Sequence, residues 1–299
     1  MVSVACKRAS ILLLLGVCMG GLPAVAAVAP ARSSKVVEPA LKSGSVLVVD
    51  EDSAAVLLSQ RANVAAPIAS ITKLMTSLVV LDAKQPMDEE LEITAADKDM
   101  ERGSSSRLAV GTKLSRADMM HLALMSSENR AAHALGRNYP GGLTAMVKAM
   151  NLKAEALGMT HARFVDPTGL SSQNVASPQD LAKLVIAASH NPIIREYSTD
   201  HTYAVKVRRR TLEFRNTDNL VAKSDWDIVV QKTGYIEEAG RCLVMKAVIA
   251  GRSVVIVLLD SYGKYTRVAD AKRIKVWMEA KLRAGRLAEV THKDSLEGA

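Results

Sequence analysis

Apolar and polar positions follow one period at the two ends of the chain and another in its middle. Near the start, residues 45–49 (SVLVV) and 55–58 (AVLL) are short apolar runs around the polar stretch Asp50-Glu51-Asp52-Ser53, the pattern of a β-hairpin. Residues 70–81 (SITKLMTSLVVL) then carry apolar side chains on most faces, with Pro67 just ahead, and read as a largely buried helix. Helical periodicity returns over 115–137 and 142–157, interrupted by Pro140-Gly141-Gly142 and ended by Gly158. Ser177-Pro178-Gln179-Asp180 opens another helix over 179–190, with proline in its first turn. Beyond it the period shortens. Residues 203–207, 228–231, 241–250 and 253–260 read as strands, the last two joined by a short link at Gly251-Arg252. Residues 265–283 close the pattern as an amphipathic helix. Strands at both ends with helices between them predict an α+β fold. One antiparallel sheet draws on both ends of the chain, around a mostly helical insert of about residues 85–200.

The extreme N-terminus has a different pattern. Lys7 and Arg8 precede an uncharged run over 11–22, followed by Ala24-Val25-Ala26. This is the order of a secretory signal peptide, cut near Ala26. An uncleaved membrane anchor is the weaker alternative, because the run falls short of the roughly 18–20 residues a span needs. A lipoprotein at Cys18 is weaker still, since the bulky Val17 precedes it. Cleavage removes Cys6 and Cys18 and leaves Cys242 alone, so no intramolecular disulfide is expected. Cys242 stands before Leu243-Val244-Met245 and reads as a core residue. Residues 27–43 are a Pro-, Ser- and Lys-bearing leader, 44–285 the folded body and 286–299 a polar tail. No later segment is apolar for long enough to span a membrane.

Composition narrows the function classes. Hydrophobic residues make up 48% of the 299 and charged residues 23%, enough apolar surface to exclude disorder as the dominant state. The net charge of +8 points to an anionic partner. With 2 Phe, 6 Tyr and 2 Trp, the chain lacks the aromatic platforms on which single-stranded nucleic acids stack.

Candidate chemistry rests on three short patterns. H-E-x-x-H, C-x-x-C, Walker A and G-x-S-x-G motifs are absent, and the six histidines are scattered, so no metal or cofactor is expected. Ser70-Ile71-Thr72-Lys73 is S-x-x-K, Ser127-Glu128-Asn129 is S-x-N, and Lys232-Thr233-Gly234 is K-T-G. Each is weak alone. S-x-x-K recurs as Ser261-Tyr262-Gly263-Lys264, and S-x-N recurs as Ser172-Gln173-Asn174 and Ser189-His190-Asn191. Context separates the copies. Ser70 opens a helix, so Lys73 lies one turn on, on the same face, among Ile71, Leu74 and Met75. Burial there favours a neutral amine, which can take a proton from serine. Ser261 ends a strand and runs into a Gly-containing loop. Lys232-Thr233-Gly234 ends the extended run 228–231, where a strand edge can present a cation and a hydroxyl to a carboxylate.

All three motifs in this order resemble the penicillin-binding and serine β-lactamase superfamily. The stretches Pro67–Thr76 (PIASITKLMT), Gly103–Leu108 (GSSSRL), Phe164–Leu170 (FVDPTGL) and Lys232-Thr233-Gly234-Tyr235 narrow the resemblance. They are similar to the low-molecular-mass D-Ala-D-Ala carboxypeptidase and endopeptidase family. Ser127-Glu128-Asn129-Arg130-Ala131-Ala132, where carboxypeptidases carry S-G-N, and the short extension past Arg283 resemble the DD-endopeptidase branch. The resemblance implies a five-stranded antiparallel sheet flanked by helices. It implies a periplasmic enzyme that hydrolyses D-Ala–meso-diaminopimelate cross-links through an acyl-enzyme on Ser70. Lys73 is then the general base, Ser127 a proton relay and Asn129 an orienting amide. Lys232 and Thr233 hold the substrate carboxylate, and the backbone N–H of Tyr235, just past Gly234, joins that of Ser70 as an oxyanion hole. Peptidoglycan stem peptides are the implied substrate and β-lactams the implied acylating inhibitors. Neither nucleic acid nor a stable membrane anchor after cleavage is implied. A D-Ala-D-Ala carboxypeptidase, a serine β-lactamase and a non-catalytic wall-binding protein remain as alternatives. The basic run Lys206-Val207-Arg208-Arg209-Arg210 reads as an exposed strand that can meet anionic wall polymer, and Arg241 is left outside the site.

Overall fold

The computed structural model describes residues 37–285. The expected signal peptide, Cys6, Cys18, residues 27–36 of the leader and the 286–299 tail lie outside the described residues.

In chain order the elements are β1 (Ser43–Asp50), β2 (Val56–Gln60), β3 (Ala66–Pro67) and a 3-10 turn at Ala69–Ile71 that runs into α1 (Thr72–Asp82). The insert holds β4 (Glu90–Glu92), β5 (Lys113–Ser115), α2 (Arg116–Met125), α3 (Asn129–Arg137) and α4 (Gly142–Ala156). It continues through β6 (Val175–Ala176), α5 (Pro178–Ser189) and α6 (Pro192–Thr199). Then come β7 (Thr202–Val207), β8 (Arg210–Arg215), β9 (Asp227–Ile236), β10 (Gly240–Ile249), β11 (Arg252–Ser261) and α7 (Thr266–Arg283).

The α+β fold is the predicted one. Five strands form a wholly antiparallel sheet in the order β2-β1-β11-β10-β9, so the first strands lie beside the last. The central strands read as continuous apolar runs because both their faces are covered. Alternate side chains go to opposite sides. Val255, Val257 and Leu259 of β11 join the core beneath α1 and α5, while Val254, Ile256 and Leu258 pack with Ala271, Ile274, Trp277 and Met278 of α7. Each such buried aliphatic side chain contributes about 1.5–3 kcal/mol relative to exposure. Asp270 of α7 ties the start of β1 to this layer, since its Oδ2 accepts from the backbone N–H groups of Lys42 and Ser43 and from Ser43 Oγ.

The Ser127-Glu128-Asn129 motif interrupts the helical region 115–137: it is two helices, broken at Ser126–Glu128, where Ser127 adopts a left-handed φ of +60°. Other local expectations change. Asn191-Pro192 starts a helix instead of only ending one: Asn191 Oδ1 accepts from the N–H groups of Ile193 and Ile194, an N-cap with proline at the first position. The strand at 203–207 stays outside the main sheet and pairs with β8, which the interrupted apolar pattern of RTLEFR hides. The β10–β11 turn is Ala250-Gly251, both at positive φ, and Arg252 already belongs to β11. Finally, β9 continues past Gln231. Lys232, Thr233 and Gly234 pair with Val244, Leu243 and Cys242, so K-T-G lies within an edge strand and not at its end. Polar residues that are buried and backbone-paired leave no apolar period to read.

Candidate active site

The Ser70 turn is held from below by a polar loop. Asn174, fully buried, accepts at Oδ1 from the N–H groups of Val165 and Asp166. Its Nδ2 donates to Asp166 O and to Thr72 Oγ1 at the start of α1. Asp166 gathers the next turn: Oδ1 accepts from the N–H and Oγ1 of Thr168 and from the N–H of Gly169 at 2.7 Å, and Oδ2 from the N–H of Ser171. Thr76 Oγ1 donates to Pro167 O at 2.7 Å. Gly169 is the closest backbone contact. Its φ is +80°, and a Cβ there would stand 1.9 Å from Ala69 O. Only glycine meets both demands. Ala69 itself is at φ +47°, so the residue before Ser70 is held off the helical path.

This scaffold fixes Lys73. The side chain is 0% exposed, and Nζ lies 2.7 Å from each of Ser70 Oγ, Asn129 Oδ1 and Thr168 O. Burial lowers its pKa from 10.5 to about 7, against the opposing pull of Asp166 and Glu128. The three partners differ in kind. Asn129 Oδ1 and the Thr168 carbonyl can only accept, so they take both hydrogens of a neutral amine. Its lone pair is then left to the hydroxyl of Ser70, which can donate. Asn129 is positioned by the break between α2 and α3, and its Nδ2 donates to Ser104 Oγ at 2.9 Å. Glu128, nearly buried, accepts at Oε1 from the N–H of Arg130 and caps α3. Ser127 is half-buried on the same junction. Among the described residues its hydroxyl makes no hydrogen bond to Ser70, Lys73 or Asn129.

The opposite wall is β9. A Cβ on Gly234 would meet Ile68 O at 3.0 Å and Ser70 N at 3.1 Å, so the strand backbone runs directly against the serine turn. Thr233 Oγ1 hydrogen-bonds Thr217 Oγ1 at 2.6 Å. Lys232 is fully buried and donates from Nζ to Thr233 O at 2.9 Å. Burial, then Lys73, then Arg267 push its pKa well below the usual lysine range, with Asp218 opposing. Tyr235 is more than half exposed, its ring under the Arg241 guanidinium.

One residue of this wall has no motif. Arg267, in the first turn of α7, leaves Nε and Nη1 buried with no hydrogen-bond partner among the described residues. Asp218 Oδ2 is likewise orphaned, and burial raises the Asp218 pKa. Donors without partners beside a buried lysine suit an anionic ligand. Only the folding of α7 back onto the sheet brings Arg267 here. Its one local signal is an arginine where the helix dipole does not favour a cation.

The repeated motifs have structural duties instead. Ser261 Oγ bonds Ser43 Oγ, Ser189 Oγ donates to Ile186 O, and Asn174 organises the loop described above. Cys242 is buried among apolar groups, which raise its thiol to about 11, the behaviour of a core residue.

Residues 32–263 match the family model described as D-alanyl-D-alanine carboxypeptidase. The chain belongs to this family of serine peptidases. Within it, the chain is 48% identical over 258 residues to a D-alanyl-D-alanine endopeptidase of Pseudomonas aeruginosa, covering 86% of this chain and 83% of that protein. It is 46% identical, with the same coverage, to the D-alanyl-D-alanine endopeptidase of Escherichia coli K12. Relatives named D-alanyl-D-alanine carboxypeptidase match at 25–29% identity, in keeping with the endopeptidase-like residues at Ser127–Ala132. The crystal structure of the Streptomyces K15 DD-transpeptidase superposes with a TM-score of 0.75 at 25% identity, over 82% of this chain and 99% of that one. The fold implied by the resemblance is therefore the one observed.

Proposed function

We propose that this DD-peptidase is a periplasmic endopeptidase that cuts D-Ala–meso-diaminopimelate cross-links of peptidoglycan through an acyl-enzyme on Ser70. The observation that carries the reading is the three-way coordination of a buried, pKa-lowered Lys73, with Ser70 as the only partner able to donate. Ser70 Oγ gives its proton to Lys73 and attacks the D-Ala carbonyl carbon. The oxyanion accepts from the N–H groups of Ser70 and Tyr235, a pairing supported by the close approach of Gly234 to Ser70 N. The C–N bond breaks as the proton passes by way of Ser127 to the leaving amine of the neighbouring stem peptide. Asn129 holds Lys73 and the substrate amide in line. Water then hydrolyses the ester, releasing the new D-Ala carboxylate and restoring Ser70. Lys232, Thr233 and, from its orphaned donors, Arg267 hold a substrate carboxylate. β-Lactams enter the same site and acylate Ser70.

Mass spectrometry of defined muropeptides tests the assignment. The wild-type chain converts cross-linked dimers to monomers and leaves monomeric pentapeptides intact, and Ser70→Ala cleaves neither substrate and takes no fluorescent penicillin. Faster trimming of pentapeptides than of dimers makes the enzyme a carboxypeptidase. Absence of Ser70-dependent penicillin labelling overturns the acyl-enzyme.

A further inference from the structure

The β7–β8 hairpin carries charge that the cleft chemistry does not use. Lys206, Arg208, Arg209 and Arg210 cluster at its tip, all exposed. Among the described residues none of the four has a carboxylate within ion-pair distance. The one acid on the hairpin, Glu213, faces Arg215 at 3.7 Å, and Glu90 on the neighbouring β4–β5 ladder faces Lys113. The turn itself is unusual. Arg208 occupies the left-handed region at φ +54°, where two-residue hairpin turns favour Gly, Asn or Asp. A side chain there costs about 1 kcal/mol of backbone strain, so the local choice works against folding and in favour of charge.

The hairpin is joined to the cleft at two points. Just past its base, Thr217 hydrogen-bonds Thr233 of β9. Along its inner face the guanidinium of Arg107 lies 4.0 Å from the Phe214 ring centroid, and Arg107 follows by three residues Ser104, the partner of Asn129. The six residues of β8 carry the basic tip roughly 17–20 Å from that base. A polymer whose peptide lies between Ser70 and Lys232 can therefore reach the tip with a neighbouring repeat.

We infer that the β7–β8 tip is a docking surface for carboxylate-bearing repeats of the same wall polymer whose cross-link occupies the cleft, an inference that rests on the peptidoglycan reading above. Charge complementarity and continuity with the cleft select this partner. A lipid surface asks for an apolar wedge beside the cations, and the side chains of the tip turn, Arg208 and Arg209, are both charged. The surface acts on attachment to the insoluble wall and leaves the chemical step alone.

The test uses the full chain with Arg208→Gln, Arg209→Gln and Arg210→Gln combined. Penicillin acylation and turnover of a soluble cross-linked dimer stay within about twofold of wild type. Pelleting with purified sacculi and their digestion fall roughly tenfold, since steering between opposite charges is worth 10–10³ in encounter rate. Raising salt from about 0.05 M to about 0.5 M, which shortens the screening length severalfold, erases the difference. Equal pelleting and digestion by the two proteins overturn the inference. So does an equal loss on soluble dimer, which makes the hairpin a support of the cleft, and so does stronger binding to anionic phospholipid vesicles than to sacculi. A wild type that pellets with sacculi yet cleaves neither substrate places the failure in the proposed reaction and not in the docking surface.

Discussion

The two walls of the cleft are built in opposite ways. On the Ser70 wall the polar groups are spent on one another: Lys73 meets two acceptors and the Ser70 hydroxyl, Asp166 four donors, and Asn174 bridges loop and helix. The backbone is bent to allow this, with Ala69, Ser127 and Gly169 all at positive φ. On the β9 wall the backbone is an ordinary edge strand and the polar groups are unspent. Among the described residues Lys232 reaches only a neighbouring carbonyl, and Arg267 and Asp218 keep orphaned buried atoms. In the proposed reaction the first wall is organised before substrate arrives and the second waits for a charge. Catalytic groups are held rigid where reaction geometry decides the rate, whereas a carboxylate site keeps its donors for the ligand.

The sharpest way to break this comparison is to disturb the rigid wall without touching a reacting group. Gly169→Ala places a methyl where Ala69 O now stands, and the loop or the Ser70 turn must move. Acylation by penicillin falls on the order of 10²-fold, the cost of misplacing reacting atoms by about an ångström. The melting temperature falls as well. Gly251, also at positive φ but with open space at its Cβ position, provides the control: Gly251→Asn leaves acylation unchanged. Loss of acylation in both variants, or in neither, removes the case for a pre-organised serine turn.

These two glycines also mark how much was legible in the sequence. Ser70 with Lys73, and Lys232-Thr233-Gly234, are local patterns, so their neighbouring apolar residues placed them on a helix start and at the end of an extended run. The buried helix at 70–81, the split of strands between the two ends and the core role of Cys242 followed from apolar periodicity. What escaped is what tertiary folding creates. Thr168 contributes a carbonyl, which any residue type owns. Gly169 looks like a loop glycine until Ala69 is known to lie against it. Arg267 is 35 positions past Lys232 and comes close only because α7 folds back over the sheet. Arg241, which sequence reasoning left outside the site, lies with its guanidinium over the Tyr235 ring.

The waiting wall is tested by removing one of its unspent donors. Arg267→Gln deletes a part-buried cation whose Nε and Nη1 have no hydrogen-bond partner among the described residues. Substrate binding weakens roughly 10–100-fold, the range of a hydrogen bond to a charged group, and the loss falls on KM for substrates with a free carboxylate. Stability is unchanged or raised, because no buried ion pair is broken. A variant that loses stability while keeping KM shows that Arg267 serves the fold, and the contrast between the walls then fails.

The smallest expected effect is set by protons and separates the two lysines. As the proposed base Lys73 must be neutral, and burial lowers its pKa to about 7. Below that pH the amine is protonated and cannot accept from Ser70; above it the lone pair is free. The acylation rate therefore rises with pH, about tenfold between pH 6 and 8, through a single ionisation. The residues that oppose the shift give a handle on it. Glu128 raises the Lys73 pKa, so Glu128→Gln moves the midpoint of the profile below that of the wild type and leaves the plateau at high pH in place. Arg267→Gln, on the other wall, lowers the whole profile for carboxylate substrates without moving its midpoint. Stopped-flow acylation across this pH range measures both. A flat wild-type profile, or a midpoint near the usual lysine value, rules out a desolvated Lys73 as the base. A Glu128→Gln midpoint equal to that of the wild type removes Glu128 from the electrostatics of the serine wall.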